Sequence, residues 1–237
     1  MGIYGKLMAH SKKESPHNEH EVKISVGDWL TDQGLKVFDE RKNIQRPQWG
    51  VFEVKNIERG KHPDLLVQGI ITAAKISRSA YVAIELKRGY KHRDILDGFD
   101  AILQYFTDYM WGAEYIVDGE PIEISAFVLA TFFSQYGYLF KGEGKFDPRN
   151  IVRGPWDSHP MTFTISRLLW RQKDNLLKQF RSLSGIPKIE RKLSKQHKLS
   201  PIRVAPEVGV LIQDPINKSG VRLMLSKNPY HWRFDKV

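Results

Sequence analysis

An α/β fold with a mixed β-sheet flanked by helices is the architecture this sequence predicts, and three observations predict it. Two apolar runs of strand length, Leu65–Ile71 and Ala80–Leu86, follow each other across a short polar joint. A helix-period segment comes next, from about Arg93 to Trp111, and a further strand-like run, Ile122–Phe132, comes after it. The near-continuous apolar character of the two central runs predicts that both sheet faces are covered, which calls for helices on both sides.

The elements take shape in order. Residues 1–17 are mixed polar with little periodicity and read as a mobile N-terminus. From Asn18 a helix is expected, with Val22, Val26, Trp29 and Leu30 on one face and Gly34 as its stop. Glu19 aligns with that apolar face, whereas Glu21 falls on the solvated face of Ser25, Asp28 and Asp32. The plain alternative for Glu19 is a first-turn acid favoured by the helix dipole. Leu35–Arg41 reads as a first strand, and Val51–Val54 as its hairpin partner across a turn-rich interval. On the helix after the central strands, Ile95, Phe99, Ile102, Leu103, Phe106 and Met110 form the apolar side; Gln104 lies on a neighbouring face, with Tyr105 and Tyr109 flanking. Gln104 is a candidate to orient a water or to contact a phosphate, and the plain alternative is a helical glutamine that does neither.

Aromatic residues then crowd Phe132–Phe140, either as core or as a dimer interface, before a looser GEGKFDPRN segment that marks a boundary. A second helix over about Ile165–Leu183 sets Leu168, Leu169, Leu176 and Phe180 on one side. Lys188–Arg203 is a basic arm between Pro187 and Pro201. Val208–Ile212 and Val221–Leu225 form a hairpin. The expected organisation is therefore a mobile 1–17, a core over 18–140, and a basic extension over 141–237 packed on that core.

Composition narrows the function. The chain has 237 residues and no cysteine, which removes disulfides, thiolate catalysis, Cys-ligated zinc and iron–sulfur clusters. No apolar run is long enough to span a bilayer and no secretory leader is evident, so an intracellular protein is expected. His10, His17 and His20 lack the partner spacing of a zinc site, and no Walker-type phosphate loop or G-x-S-x-G elbow occurs, so no nucleotide cofactor is expected. Net charge is +10, and from Met161 onward lie 16 of the 37 Lys and Arg but only 5 of the 27 Asp and Glu. Segregated basic charge points to a polyanion partner, with a solubilising surface as the plain alternative.

The chemistry concentrates in His62–Lys87. Asp64 opens the first central run after Pro63, and Glu85 and Lys87 end the second. Residues two apart in a strand share a face, so Glu85 and Lys87 project together while Ile84 and Leu86 face the other way. If the runs pair, Asp64 joins them. Two carboxylates and one ammonium at one spot are costly unless compensated, and a divalent cation compensates. The bland reading is a Lys–Glu pair at a strand end with Asp64 a turn residue.

Helix with Glu19, strand, strand with Pro63-Asp64, strand with Glu85-Leu86-Lys87, helix, strand: this order resembles the PD-(D/E)XK nuclease superfamily, which includes restriction endonucleases, archaeal Holliday junction resolvases and RecB-like nucleases. The resemblance covers roughly residues 18–135, and Gln104 and Tyr109 approximate the Gln and Tyr that the RecB-like branch carries, one residue wider. It implies a restriction-endonuclease-like αβββαβ core. It also implies Mg²⁺ or Mn²⁺ held by Asp64, Glu85, the Leu86 carbonyl and Glu19, with Lys87 positioning the attacking water or stabilising the pentavalent phosphorus. The expected partner is DNA, held by Arg88, Lys91, Arg93, Arg171, Lys178, Arg181, Lys188, Arg191, Lys192 and Lys195. The competing expectation is a non-catalytic nucleic-acid-binding protein on the same scaffold, and a homodimeric junction resolvase is a subclass of the first.

Overall fold

The computed structural model describes residues 19–40, 46–57, 61–73, 76–87, 92–131, 160–184, 204–213, 220–225 and 232–237. Three helices and ten strands make up the described fold: α1 (Glu19–Asp32), β1 (Lys36–Glu40), β2 (Gly50–Lys55), β3 (Leu65–Ala73), β4 (Ile76–Lys87), α2 (His92–Met110), β5 (Glu114–Val117), β6 (Glu120–Ile122), β7 (Ile124–Thr131), α3 (Pro160–Ser184), β8 (Glu207–Gln213), β9 (Val221–Leu225) and β10 (Trp232–Asp235). The expected mixed sheet flanked by helices is what forms. Among the described residues no helix is long and apolar enough to cross a membrane.

The strands follow the order β10-β9-β8-β7-β4-β3-β1-β2-β5-β6. β3 and β4 form a long antiparallel hairpin, and β4, β7 and β8 run parallel to one another. β1 is antiparallel to β3 and parallel to β2, so β1, β2, β4, β7 and β8 all point the same way. Alternation sorts the helices. Lys23 of α1 reaches Asp39, on one sheet face, while Tyr105 of α2 reaches Glu85, on the other. Coverage of both faces explains why Leu65, Leu66, Val67, Val82, Ile84 and Leu86 are all buried.

α1 ends as its sequence requires. Gly34 has φ +80°, its amide donates to the Thr31 carbonyl and the Leu35 amide to that of Leu30, closing a Schellman motif. Pro160 opens α3, where a missing amide N–H costs nothing.

Four expectations need correction. β2 is the parallel neighbour of β1 and makes no hairpin with it. Buried Trp49, just before β2, packs against Gly27 of α1. The described part of the polar joint between the central runs is strand: β3 runs on to Ala73, β4 begins at Ile76, and Ser77, Arg78 and Ser79 are exposed strand residues. Leu168, expected on the buried side of α3, is 42% exposed, while Leu169 is fully buried. Finally, the C-terminal hairpin belongs to the sheet. β8 pairs with β7, β9 with β8, and β10 returns to β3, so β3, β4, β7, β8, β9 and β10 close a six-stranded ring. A closed ring is not the restriction-endonuclease-like core that the resemblance implies. One further hairpin, β5–β6, went unanticipated, although its Asp118-Gly119 turn with both residues at positive φ is a type I′ signal.

Ring closure depends on Gly69. β3 pairs with β1 over Leu66–Gln68 and with β10 over Ile70–Thr72, so its second edge changes partner at Gly69. A Cβ there would lie 2.5 Å from Leu35 Cδ2, 2.5 Å from Phe234 Cε2 and 2.8 Å from the Asp235 carbonyl oxygen. Gly69→Ala should lower unfolding free energy by about 1–3 kcal/mol, the usual cost of overpacking, as read by urea denaturation. A variant as stable as the parent would show that β10 does not sit there.

Candidate active site

The strand register assembles the site. Leu65 pairs with Ile84 at the end of the β3–β4 ladder, so one step further Asp64 stands opposite Glu85. Buried Pro63 enforces the extended entry to β3. Asp64 Oδ2 then accepts the Leu86 amide N–H at 2.7 Å, which ties the turn residue to the end of the neighbouring strand. Glu85 and Lys87 project from β4 toward α2, and Lys87 Nζ lies 2.7 Å from Glu85 Oε1. The cluster occupies the carboxyl ends of the parallel strands, the customary position of sites in α/β sheets.

Tyr105 is the residue that sequence reasoning missed. Its hydroxyl is 2.7 Å from Glu85 Oε2 and 2.8 Å from the His62 carbonyl oxygen, so one buried O–H is shared between the Glu85 carboxylate of β4 and the backbone that leads into Asp64. Burial, and then the charge of Glu85, push the phenol far above its ordinary pKa, which keeps it a donor. The signal was present as Gly98, Ala101, Tyr105 and Tyr109, a stripe of small residues followed by two tyrosines at helical spacing. Tyr109 serves elsewhere: its hydroxyl oxygen accepts the Ile124 amide N–H at 3.3 Å.

Two further side-chain pairs were not anticipated. Lys23 Nζ is 2.5 Å from Oδ1 of the fully buried Asp39, on the face opposite Glu85. Its charge also lowers the pKa of Asp64, as does that of Lys87. His62 Nε2 stands 3.5 Å from Glu40 Oε1. Even so, burial and then the negative charge of Glu85 win, and the Asp64 carboxyl is pushed up to about 7. Among the described groups, Lys87 and Lys23 do not offset the burial of Asp64 and the charge of Glu85.

The other sequence candidates divide. Glu19 opens α1, but its side chain lies outside the described residues, as does that of Glu21. Gln104 is part-buried on α2 with Nε2 lacking a hydrogen-bond partner, and the contact with Glu85 belongs instead to its neighbour Tyr105. Leu86 contributes its amide N–H, which Asp64 Oδ2 accepts. Arg171 and Lys178 are exposed on α3, where Lys178 pairs with Asp174. Arg88, Lys91, Lys188, Arg191, Lys192 and Lys195, and the side chains of Arg93 and Arg181, lie outside the described residues.

A divalent cation fits the donor chemistry of Asp64 and Glu85, which are hard oxygen ligands in a spot that raises a carboxyl pKa. Among the described residues, no group of three or more His, Asp and Glu side chains converges as a ready cage.

Two outcomes follow from this geometry. The folded Asp64 carboxyl titrates near 7 against 3.8 for the ordinary group, so the folded protein holds a proton that the unfolded chain has lost between these values. Stability from this group is complete below about pH 4 and is lost as pH rises through 7. Thermal denaturation in chelator should therefore show the parent losing Tm from pH 5 to pH 8 more steeply than Asp64→Asn. Parallel curves would contradict the raised pKa. Tyr105→Phe leaves two acceptors without their donor and should cost about 1–3 kcal/mol in urea denaturation.

No family model, curated protein or solved structure matches this chain.

Proposed function

We propose that this chain is a divalent-metal-dependent nuclease that hydrolyses DNA phosphodiester bonds. One observation carries the reading. The fold brings Asp64 opposite Glu85, which lies 21 positions further along the chain, with the Lys87 ammonium on the same Glu85 carboxylate. The element order supports a PD-(D/E)XK-type arrangement: α1, β1, β3, β4, α2 and β7 occur in the order αβββαβ, with β1, β3, β4 and β7 adjacent in the sheet and β2 inserted.

Asp64, Glu85, the Leu86 carbonyl and Glu19 would hold Mg²⁺ or Mn²⁺. Such an ion, when bound, lowers the pKa of a water and polarises a phosphoryl oxygen. Lys87 keeps an ammonium beside the carboxylates, where it stabilises negative charge developing on phosphate. Tyr105 fixes the orientation of Glu85 through its hydroxyl. Exposed Arg171 and Lys178 on α3, together with the net charge of +10, favour a polyanion on this protein.

One observation favours the competing reading, a non-catalytic nucleic-acid-binding protein. Both Glu85 oxygens already have partners, Lys87 on Oε1 and Tyr105 on Oε2. A panel of linear, nicked, single-stranded and four-way DNA, each with Mg²⁺, Mn²⁺ or chelator, separates the two. The nuclease reading expects metal-dependent cleavage that falls by at least about 100-fold in Asp64→Ala and in Lys87→Ala, the scale of losing one transition-state-stabilising group. DNA binding in chelator should stay within a few-fold of the parent. Cleavage by purified Asp64→Ala at the parental rate would overturn the site. Salt-sensitive binding without cleavage of any substrate would leave the binding protein standing.

A further inference from the structure

We propose that Gly98 is a positioning residue for Lys87: by lacking a Cβ it lets α2 set where the Lys87 ammonium stands. The inference rests on the reading of Lys87 as the functional amine of the site, and it concerns how that amine is placed.

Gly98 lies well inside α2, where glycine is a poor choice for helix stability. Its φ is not in the left-handed region, so backbone conformation gives no reason for it. Close approach does. A Cβ at 98 would fall 2.7 Å from Lys87 Cγ and 2.6 Å from Leu129 Cδ1. Carbon atoms in ordinary contact stand about 3.5–4.0 Å apart, so both neighbours would have to give way. Leu129 is fully buried and paired with Glu85 in the β4–β7 ladder, which confines it. Lys87 therefore has its alkyl stem against the bare backbone of α2 and its ammonium on Glu85 Oε1.

The same helix face acts on both catalytic side chains. Seven residues on, two helical turns away, Tyr105 holds Glu85 Oε2. Gly98 admits the lysine and Tyr105 holds the glutamate, so the spacing of one helix fixes the geometry of a Glu-x-Lys pair. A side chain at 98 would push Lys87 Cγ by close to an ångström, and misplacement on that scale costs an active site heavily.

The test uses the full chain and two independent readouts. In lysine-labelled protein, the Nζ and Cε resonances of Lys87, assigned by their loss in Lys87→Arg, should move in Gly98→Ala while those of Lys173 stay in place. In single-turnover and steady-state cleavage assays, Gly98→Ala should lower kcat by about tenfold or more with little change in KM. In a Lys87→Ala background the same substitution should have no further effect, because the group it displaces is gone. Gly98→Ala/Leu129→Ala relieves the other contact, with the new methyl refilling part of the volume that the buried leucine gives up, and should still show displaced Lys87 resonances; it carries the measurement if Gly98→Ala alone folds poorly. Unmoved Lys87 resonances in folded Gly98→Ala, or restoration of the parental kcat by Leu129→Ala, would reduce Gly98 to a packing residue and overturn the proposal. Absence of cleavage by the parent would overturn the nuclease reading instead, and the resonance shift would still decide the placement of Lys87.

Discussion

Nine consecutive residue pairs between β3 and β4, from Leu65 with Ile84 to Ala73 with Ile76, decide what this protein's charged cluster looks like. The side-chain period of a strand is two, so a slip of one residue would send Glu85 and Lys87 to the face of α1 and carry Leu86 to the face of α2. Asp64 would lose both its position opposite Glu85 and the Leu86 amide that holds it. The burial of Leu66, Ala83, Val82 and Ile84 on both faces enforces the register, because every slipped alignment exposes or misplaces them. Ordinary apolar packing thus holds a polar constellation that packing alone would not choose.

The charges around that ladder are arranged in two layers. Behind the sheet, Lys23 and buried Asp39 pair across the interface of α1 and β1; in front, Lys87, Glu85 and Tyr105 link β4 to α2. The buried partners are satisfied, which is the condition on which buried charge is tolerated. Asp64 stands opposite Glu85 at the end of the ladder, and burial followed by the charge of Glu85 raises its pKa.

What the sequence made legible follows from locality. Gly34 ended α1, Pro63 and Asp64 opened β3, and the alternation of Ile84, Glu85, Leu86 and Lys87 gave the correct faces, because each depends on a few neighbouring residues. The direction of β2, the return of β10 to β3 and the Lys23–Asp39 pair depend on residues far apart in the chain, and nothing local encodes them. Gln104 and Tyr105 are adjacent on α2, and their residue types alone do not say which of them meets Glu85. Only the rotation of α2 against β4 decides between adjacent helix positions, and Gly98 is the residue that allows that approach.

The ring closure carries a consequence for how this chain acquires its shape. β3 is among the early strands, yet half of its second edge is completed by residues 233–235, some 160 positions later. Contacts of such sequence separation form late and slowly, because a long stretch of chain must be closed before any of them is gained. During synthesis, β3 and β4 can pair as a hairpin while Ile70–Thr72 still presents unpaired backbone to its surroundings. A nascent chain held at that stage has its Asp64–Glu85 pair within reach but carries an open strand edge, so it is exposed to wrong pairing until its last strand arrives.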